Sequence, residues 1–222
     1  MTSLSLPARQ AEPGHKRTLA APKDKGVNVP SQPTRSSQLI GEVIALGPAP
    51  LLKAMGFRKK GTHFFKTIAD TTCHLSFQSS QWNAPEFSKF TLNLWTYLPA
   101  IAISNGDALI VEPEKQKFGH CGVRIGHLFP EPGDNWWQIS DPSEVPTRAA
   151  EVRLAVENYA IPYLVRAASL EGIAELSGHI PGVGTLPTHF KAHALRLLGR
   201  ERKAAAVEHE LEVQSKKPAT ET

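Results

Sequence analysis

The sequence predicts an α+β fold, in which an antiparallel sheet of four or five strands carries helices on one face and a further helix follows at the C-terminal end. Three observations lead to this prediction. Apolar residues at helical spacing come first, five short strand-like segments follow, and the pattern is helical again after about residue 141. Strands grouped between helices and joined by short connections favour an antiparallel sheet over an alternating parallel one.

The first helix is expected to begin at Ser36 or Ser37, whose side chains can accept a hydrogen bond from the first helical turn. Apolar residues then recur at helical spacing, at Leu39, Val43 and Leu46. Gly47 and Pro48 interrupt this pattern, which resumes after them. Gly56 suits the left-handed position that ends many helices, so the helical region is expected to end there.

Five segments alternate between apolar and polar residues, as strands with one buried face do. They are HFFKTIA (63–69), CHLSFQSS (73–80), SKFTLNLWTYL (88–98), VRIGHLF (123–129) and WWQIS (136–140). The basic residues 58–60 precede them and are expected to be solvated. Residues 104–121 contain Gly, Pro and mixed charge, so a long connection is expected there.

Beyond the strands the pattern becomes helical. A helix rich in apolar residues is predicted around residues 152–168, with a break or kink at Pro162, which cannot donate a backbone hydrogen bond. Ser169 can cap a short helix after it. Residues 177–187 have the glycines and prolines of a loop, and a long helix is predicted from Thr188 to about residue 213.

The chain is expected to have three parts. These are a disordered basic leader (1–35), a single α+β domain (36–187), and a C-terminal helix with a disordered tail (188–222). The leader holds six Lys/Arg against two Asp/Glu, whereas residues 36–190 hold twelve against fourteen. Because the basic charge belongs to the tails, nucleic-acid binding is not expected, except through the leader acting as a basic arm for an acidic partner.

Other bulk features exclude several classes of protein. No apolar run approaches the roughly 20 residues that a membrane helix needs. The N-terminus lacks the apolar segment of a secretory signal, so a cytoplasmic protein is expected. The two cysteines, Cys73 and Cys121, make no disulfide framework and are expected to be buried thiols.

Several sequence runs, taken in order, resemble one known family. They are LLKAMGFRKKGTHFFK, SFQSSQWN, FTLNLWTYL and CGVRIGHLFPEPGDNWWQIS, followed by a helix that contains ENYAIPYL. Together they are similar to the bacterial family called domain of unknown function 4304, and the resemblance extends from about residue 39 to about residue 178. It implies an α+β domain. It implies no activity and no catalytic residue, because the family has none assigned.

Strand phase separates a set of polar and aromatic residues from the apolar core, because alternate residues of a strand point to opposite faces. Of the two adjacent tryptophans, Trp137 is expected to be buried and Trp136 to lie on the opposite face. That face collects Trp95, Trp136, Arg124, Asn93, Gln78 and His74, with Trp82 at its rim. This composition is typical of a binding surface, so a non-enzymatic module that binds an unknown small ligand or protein is predicted.

The same face has two alternative interpretations. Residues 104–121 or a partner subunit could cover it, so that the tryptophans would be ordinary packing. Alternatively, a hydrolase-like enzyme could have its site around His74 and Arg124, in a closed cleft where His74 or His63 contacts a carboxylate. In a ligand site, Arg124 would offer its planar guanidinium to a carboxylate or a phosphate.

No cofactor and no metal site are predicted. The pairs Cys73–His74 and His120–Cys121 have metal-binding side chains, but adjacent residues of a strand face apart. Each pair therefore offers at most one ligand to a given site, and nothing in the sequence completes a tetrahedral set.

Overall fold

A computed structural model describes residues 34–84, 86–177, 179–180, 184–185 and 189–216 of the chain. Residues 1–33 of the predicted leader and 217–222 of the predicted tail lie outside this part. Residues 178, 181–183 and 186–187 of the predicted loop do so as well, as does Thr188, the predicted start of the last helix. Within that loop, His179–Ile180 pairs antiparallel with Gly184–Thr185.

From residue 34 onward, two helices precede the sheet. They are α1 (Arg35–Leu46) and α2 (Pro48–Ala54). The side-chain oxygen of Thr34 accepts a hydrogen bond from the backbone N–H of Ser37 at 3.2 Å, so Thr34 is the cap and not Ser36 or Ser37, the predicted positions. Gly47 separates the two helices where the chain is crowded, because a Cβ there would lie 2.2 Å from the carbonyl oxygen of Ala149.

Six strands follow and form one open antiparallel sheet. They are β1 (Arg58–Lys60), β2 (His63–Ile68), β3 (Thr71–Ser79), β4 (Ser88–Tyr97), β5 (Cys121–Arg124) and β6 (Trp137–Ile139). The order is β1-β2-β3-β4-β5, and β6 pairs with the first part of β4 while β5 pairs with its second part. The predicted α+β fold with an antiparallel sheet is confirmed.

Residues 58–60 are exposed, as predicted, but they also form the edge strand β1, which was not predicted. Gly56 has a φ of +83°, the left-handed conformation predicted for it, and lies in the short connection between α2 and this strand. Arg58 then pairs in register with Phe65 of β2. A short, charged edge strand resists pairing with another chain, so the polar composition of β1 suits its place at the edge of the sheet. The same composition has no alternation of apolar residues, so the sequence did not predict this strand.

Among the described residues, six α-helices lie after β4. They are α3 (Pro99–Asn105), α4 (Val145–Ala155), α5 (Ile161–Arg166), α6 (Leu170–Leu176), α7 (His189–Leu197) and α8 (Glu201–Ser215). Helix α3 was not predicted, and it begins before the expected connection at 104–121. It starts at Pro99, which is favourable in a first turn because its missing N–H would have no partner there.

The predicted strand at 123–129 is a strand only as far as Arg124. A 3-10 turn over Ile125–Leu128 replaces the rest. The chain is crowded at this point, since a Cβ on Gly126 would lie 2.4 Å from the carbonyl oxygen of Gly133. The strand therefore ends where the chain near Gly133 packs against Gly126. The alternation of apolar residues in the sequence does not reveal this contact.

The predicted kink at Pro162 is a π turn over Val156–Ala160, between α4 and α5. The backbone N–H of Ile161 donates to the carbonyl oxygen of Val156, five residues earlier. Proline has no N–H, and its ring would collide with the carbonyl four residues before it in a regular α-helix. The wider turn accommodates Pro162 without ending the helical path.

The long helix predicted from Thr188 to about residue 213 is two helices, α7 and α8. Gly199 has a φ of +68° and lies between them. The N–H of Arg200 donates to the carbonyl oxygen of Leu195 at 2.8 Å, which satisfies the open end of α7. Arg196 of α7 forms an ion pair with Glu208 of α8. The charged residues that favoured a single long helix in the sequence therefore include a pair that connects the two helices.

The core lies between the sheet and the helices α1, α4 and α5. Its members predicted from the sequence are buried in a single cluster: Phe77, Leu92, Leu94, Ile125 and Val156. Trp137 belongs to the same cluster, and Trp136 is only half-buried, as predicted for this pair. In the described part of the chain, no helix has the length and apolar character to cross a membrane.

Candidate functional site

Strand register brings most of the predicted face residues to one side of the sheet. His74 lies opposite Trp95 across β3 and β4, and Asn93 of β4 lies opposite Arg124 of β5. Gln78 is on the same side as His74, because residues four apart in a strand share a face. The structure then divides this face into a part that is covered and a part that is open.

The covered part lies beneath residues 106–120, which we call the cover segment. His74 is completely buried there, and its Nε2 lies 2.9 Å from Oε1 of Gln116. The indole N–H of Trp95 donates to the backbone oxygen of Gln116 at 3.1 Å. The rings of His74 and Trp95 stack with their centroids 5.0 Å apart and their planes 7° apart. His74 is therefore an internal packing group, and the half-buried Trp95 packs against it beneath the cover segment.

Further contacts fix the cover segment to the sheet. Gln116 donates from Nε2 to the backbone oxygen of Ile110 at 2.7 Å, and the N–H of Ile110 donates to Oη of Tyr97 at 3.1 Å. Gly119 passes so close to β4 that a Cβ would lie 2.3 Å from the carbonyl oxygen of Thr96. Gln116 is the one side chain in this set that bonds both to the sheet and within the segment.

A pair of histidines extends from this buried region towards the edge of the sheet. Nε2 of His63 lies 3.0 Å from Nδ1 of His74, so one of these two nitrogens carries the shared proton. Burial lowers the pKa of His74 to about 4, and it also lowers the pKa of His63. The hydrogen-bond partners of His74 are His63 and Gln116, and neither is a carboxylate.

Removal of Gln116 is expected to cost roughly 1–3 kcal/mol of folding free energy, because Gln116→Ala leaves the buried Nε2 of His74 and the half-buried backbone oxygen of Ile110 without partners. Urea unfolding of the purified protein measures this cost. The matched control is Gln138→Ala, since Gln138 is exposed on β6 and its replacement should change stability by less than about 0.5 kcal/mol. Equal effects of the two variants would show that Gln116 does not secure the cover segment.

The open part of the face has a connected group of polar side chains, which we call the open patch: Gln78, Asn93, Arg124, Asp134 and Trp136. Arg124 forms an ion pair with one carboxylate oxygen of Asp134. The indole N–H of Trp136 donates to the other carboxylate oxygen at 3.0 Å. The guanidinium carbon of Arg124 lies 5.1 Å from the centroid of the Trp136 ring, which is a cation–π distance.

The group continues across the sheet through two carboxamides. Nε of Arg124 donates to Oδ1 of Asn93 at 3.4 Å, and Nδ2 of Asn93 donates to Oε1 of Gln78 at 2.7 Å. The patch therefore spans β3, β4 and β5 and the loop before β6 in one hydrogen-bonded series. Four of its five members were predicted from strand phase alone.

Asp134 is the member that the sequence did not indicate. It lies in a loop, where strand phase gives no direction, and only its position two residues before Trp136 connects it to the predicted set. Hydrogen bonds from Trp136 and from Arg124 hold the pKa of Asp134 below its usual range. The carboxylate is thus ionised at neutral pH, and it partly neutralises the arginine.

Trp82 is separate from both parts of the face. It lies in the turn after β3, and 76% of its surface is exposed. Its indole N–H makes no hydrogen bond within the described part of the chain, and its backbone N–H donates to Oγ of Ser80. Its predicted role at the rim of a binding surface stays a prediction.

The two cysteines are buried, as predicted, and their thiols have polar neighbours on α5. Sγ of Cys121 lies 3.1 Å from Oη of Tyr163, and Cys73 donates weakly to the backbone oxygen of Leu164. Burial raises the pKa of Cys73 to about 12, so its thiol stays protonated at neutral pH. Among the described residues, no three His, Cys, Asp or Glu side chains lie together as metal ligands would.

Comparison with known proteins identifies a family. The model of a family described as Domain of unknown function (DUF4304) matches residues 48–166, which lie within the stretch of about 39–178 that carries the resemblance in the sequence. No curated protein and no solved structure matches the chain. The family match covers more than half of the chain and includes every strand of the six-stranded sheet. The chain therefore belongs to this family, whose function is unknown.

Proposed function

We propose that the protein is a non-enzymatic binding module and that the open patch is its recognition surface. The observation that carries this proposal is the single hydrogen-bonded series from Gln78 through Asn93 and Arg124 to Asp134 and Trp136. These side chains lie at the surface. A purely structural role would not need five polar and aromatic groups aligned across three strands, so their alignment supports a role in recognition. A fixed series of this kind offers a ligand donors and acceptors at set positions.

The chemistry of the patch favours a ligand with a carboxylate or a phosphate. Arg124 is the only basic residue of the patch, and its Nη2 has no hydrogen-bond partner among the described residues. Its guanidinium is held in place by Asn93, Asp134 and the ring of Trp136, so little side-chain freedom remains to be lost on binding. A ligand anion would bond to Nη2 and compete with Asp134 for Nη1, and an apolar part of it would lie on Trp136.

The hydrolase alternative is less well supported by the geometry. His74 is enclosed beneath Gln116, and neither of its side-chain partners is a carboxylate. Arg124 lies in the open patch and bonds to Asn93 and Asp134, away from that buried imidazole. A general base must reach the proton that it abstracts, and His74 does not face solvent. We therefore favour binding over hydrolysis.

The test uses phenyl phosphate and phenylacetate as probes in a titration followed by ¹H–¹⁵N NMR. The expected result is a shift of the Arg124 Nε–Hε and Trp136 indole signals. We expect Arg124→Ala and Trp136→Ala each to weaken binding roughly tenfold or more, because a charge-assisted hydrogen bond contributes about 1.5–3 kcal/mol. Both variants should keep nearly the thermal stability of the parent protein, since neither side chain belongs to the core.

The matched control is Arg166→Ala. Arg166 also forms an exposed ion pair with a carboxylate, that of Glu175, but it lies on α5, outside the patch. Its replacement should leave probe binding unchanged. Binding that survives in Arg124→Ala, or unfolding of both patch variants, would contradict the proposal, because the side chains would then be either irrelevant or structural.

A further inference from the structure

A second site adjoins the loop that carries Asp134 and Trp136, between the chain that leads into β6 and the helical path through α4 and the π turn. A cavity of about 640 Å³ opens there. Its helical wall consists of Glu151, Leu154 and Ala155 from α4 and of Asn158 and Tyr159 from the π turn. This size is within the range of roughly 300–1,000 Å³ that is usual for small-molecule sites.

Three aromatic rings belong to the apolar part of the cavity, together with Pro130, Leu154 and Ala155. The ring of Phe129 meets the ring of Trp137 at an angle of 75° with centroids 6.5 Å apart, and it meets the ring of Tyr159 at 64° and 5.0 Å. The rings therefore form a corner rather than a flat stack. The indole N–H of Trp137 has no hydrogen-bond partner among the described residues, although its side chain lines the cavity.

The polar part of the cavity is acidic. Glu131 and Glu151 line it, and none of the lining residues is a lysine, an arginine or a histidine. Oε2 of Glu151 accepts a hydrogen bond from Arg148 at 2.6 Å, so this carboxylate is partly neutralised from outside the cavity. Glu131 forms no ion pair within the described part of the chain. The charge at the rim therefore excludes anions and attracts cations.

The π turn places two of the wall residues, since both Asn158 and Tyr159 belong to it. A π turn contains an extra residue compared with an α turn, which changes the direction of the side chains around the helix. Its presence is explained by Pro162, but the residues that it turns towards the cavity are an exposed amide and a half-buried aromatic ring. Such turns occur frequently at functional sites.

We propose that this cavity binds a small organic cation with a methylated or alkylated ammonium group. An ammonium of this kind is attracted to the faces of aromatic rings, which carry the negative part of the ring quadrupole, and it is poorly hydrated, so it favours an aromatic site over water. The carboxylates of Glu131 and Glu151 add long-range attraction, and the amides of Asn135 and Asn158 can bond to a polar substituent of the ligand. The site shares no side chain with the open patch.

The experiment compares choline with 3,3-dimethylbutan-1-ol, which has the same shape and no charge. Binding to the full chain is followed through the indole ¹H–¹⁵N signal of Trp137. We expect choline to shift this signal at millimolar concentration and the neutral alcohol to bind roughly tenfold more weakly, within the range that a cation–π contact supplies. Equal binding of the two probes, or no binding of choline, would overturn the proposal.

Two kinds of variant locate the site. Tyr159→Leu keeps an apolar side chain but removes the aromatic face, and we expect it to weaken choline binding roughly fivefold. Glu131→Gln, an exposed change that does not endanger folding, should weaken it at low ionic strength and less at high ionic strength. The matched control is Glu175→Gln, a carboxylate on α6 outside the cavity, which should bind choline as the parent does. Choline binding unchanged in Glu131→Gln and in Tyr159→Leu would refute the assignment to this cavity.

Discussion

Acidification from pH 7 to pH 4 is expected to lower the free energy of unfolding by several kcal/mol, because two histidines are buried as neutral imidazoles. Burial lowers the pKa of both His74 and His120 to about 4. In the unfolded chain these groups have a pKa near 6.5, so the unfolded state binds more protons between pH 6.5 and pH 4. Stability is therefore fully present above pH 6.5 and is lost as the pH falls to about 4.

The size of the effect follows from the two pKa changes. At 1.36 kcal/mol per pKa unit, each histidine contributes about 3 kcal/mol to the loss. His63, whose pKa is also lowered, acts in the same direction. Since an ordinary domain has a stability of only about 5–15 kcal/mol, unfolding near pH 4 is expected. Urea titrations at several pH values, followed by tryptophan fluorescence, measure the slope.

The contribution of His120 can be separated with His120→Asn. Nδ1 of His120 accepts a hydrogen bond from the backbone N–H of Leu98 at 3.0 Å, and the amide oxygen of Asn can take its place without titrating. We expect this variant to lose roughly half of the pH dependence between pH 6.5 and pH 4. His209→Gln, at an exposed position on α8, should keep the full dependence. An unchanged slope in His120→Asn would show that His120 is not a source of the acid sensitivity.

Leu94→Ala is expected to reduce the free energy of unfolding by about 2–5 kcal/mol, the usual cost of truncating a fully buried leucine. Leu94 is 1% exposed, at the centre of β4. It lies opposite Leu75 of β3 and Val123 of β5, so its removal leaves a cavity where three strands meet. Denaturant unfolding of the variant measures the loss.

The matched control is Leu154→Ala. Leu154 is 56% exposed on α4, so the same chemical change removes little buried surface and should cost less than about 0.5 kcal/mol. If the two variants lost similar stability, Leu94 would not be at the centre of the core, and the inward phase of β4 would need to be revised.

The sequence by itself determined the class of fold and the two faces of the central strands. In β4 the alternation of Phe90, Leu92 and Leu94 with Asn93 and Trp95 is strict, and only one register buries the apolar set. The same phase separated Trp137 from Trp136. These predictions succeeded because side chains alternate between the two faces of a strand every two residues. The sequence of a strand therefore shows which of its side chains share the buried face.

Tertiary structure alone decided which part of the polar face is open. His74 and Gln78 lie on the same face and look alike in the sequence, but the cover segment buries His74 under Gln116 and leaves Gln78 exposed. Asp134 joins Arg124 only because the loop before β6 returns to the sheet next to β5. Such contacts depend on where a loop lies in space. A loop has no repeating geometry. Its sequence therefore does not show which side chains of the sheet it will cover, or which group of side chains it will join.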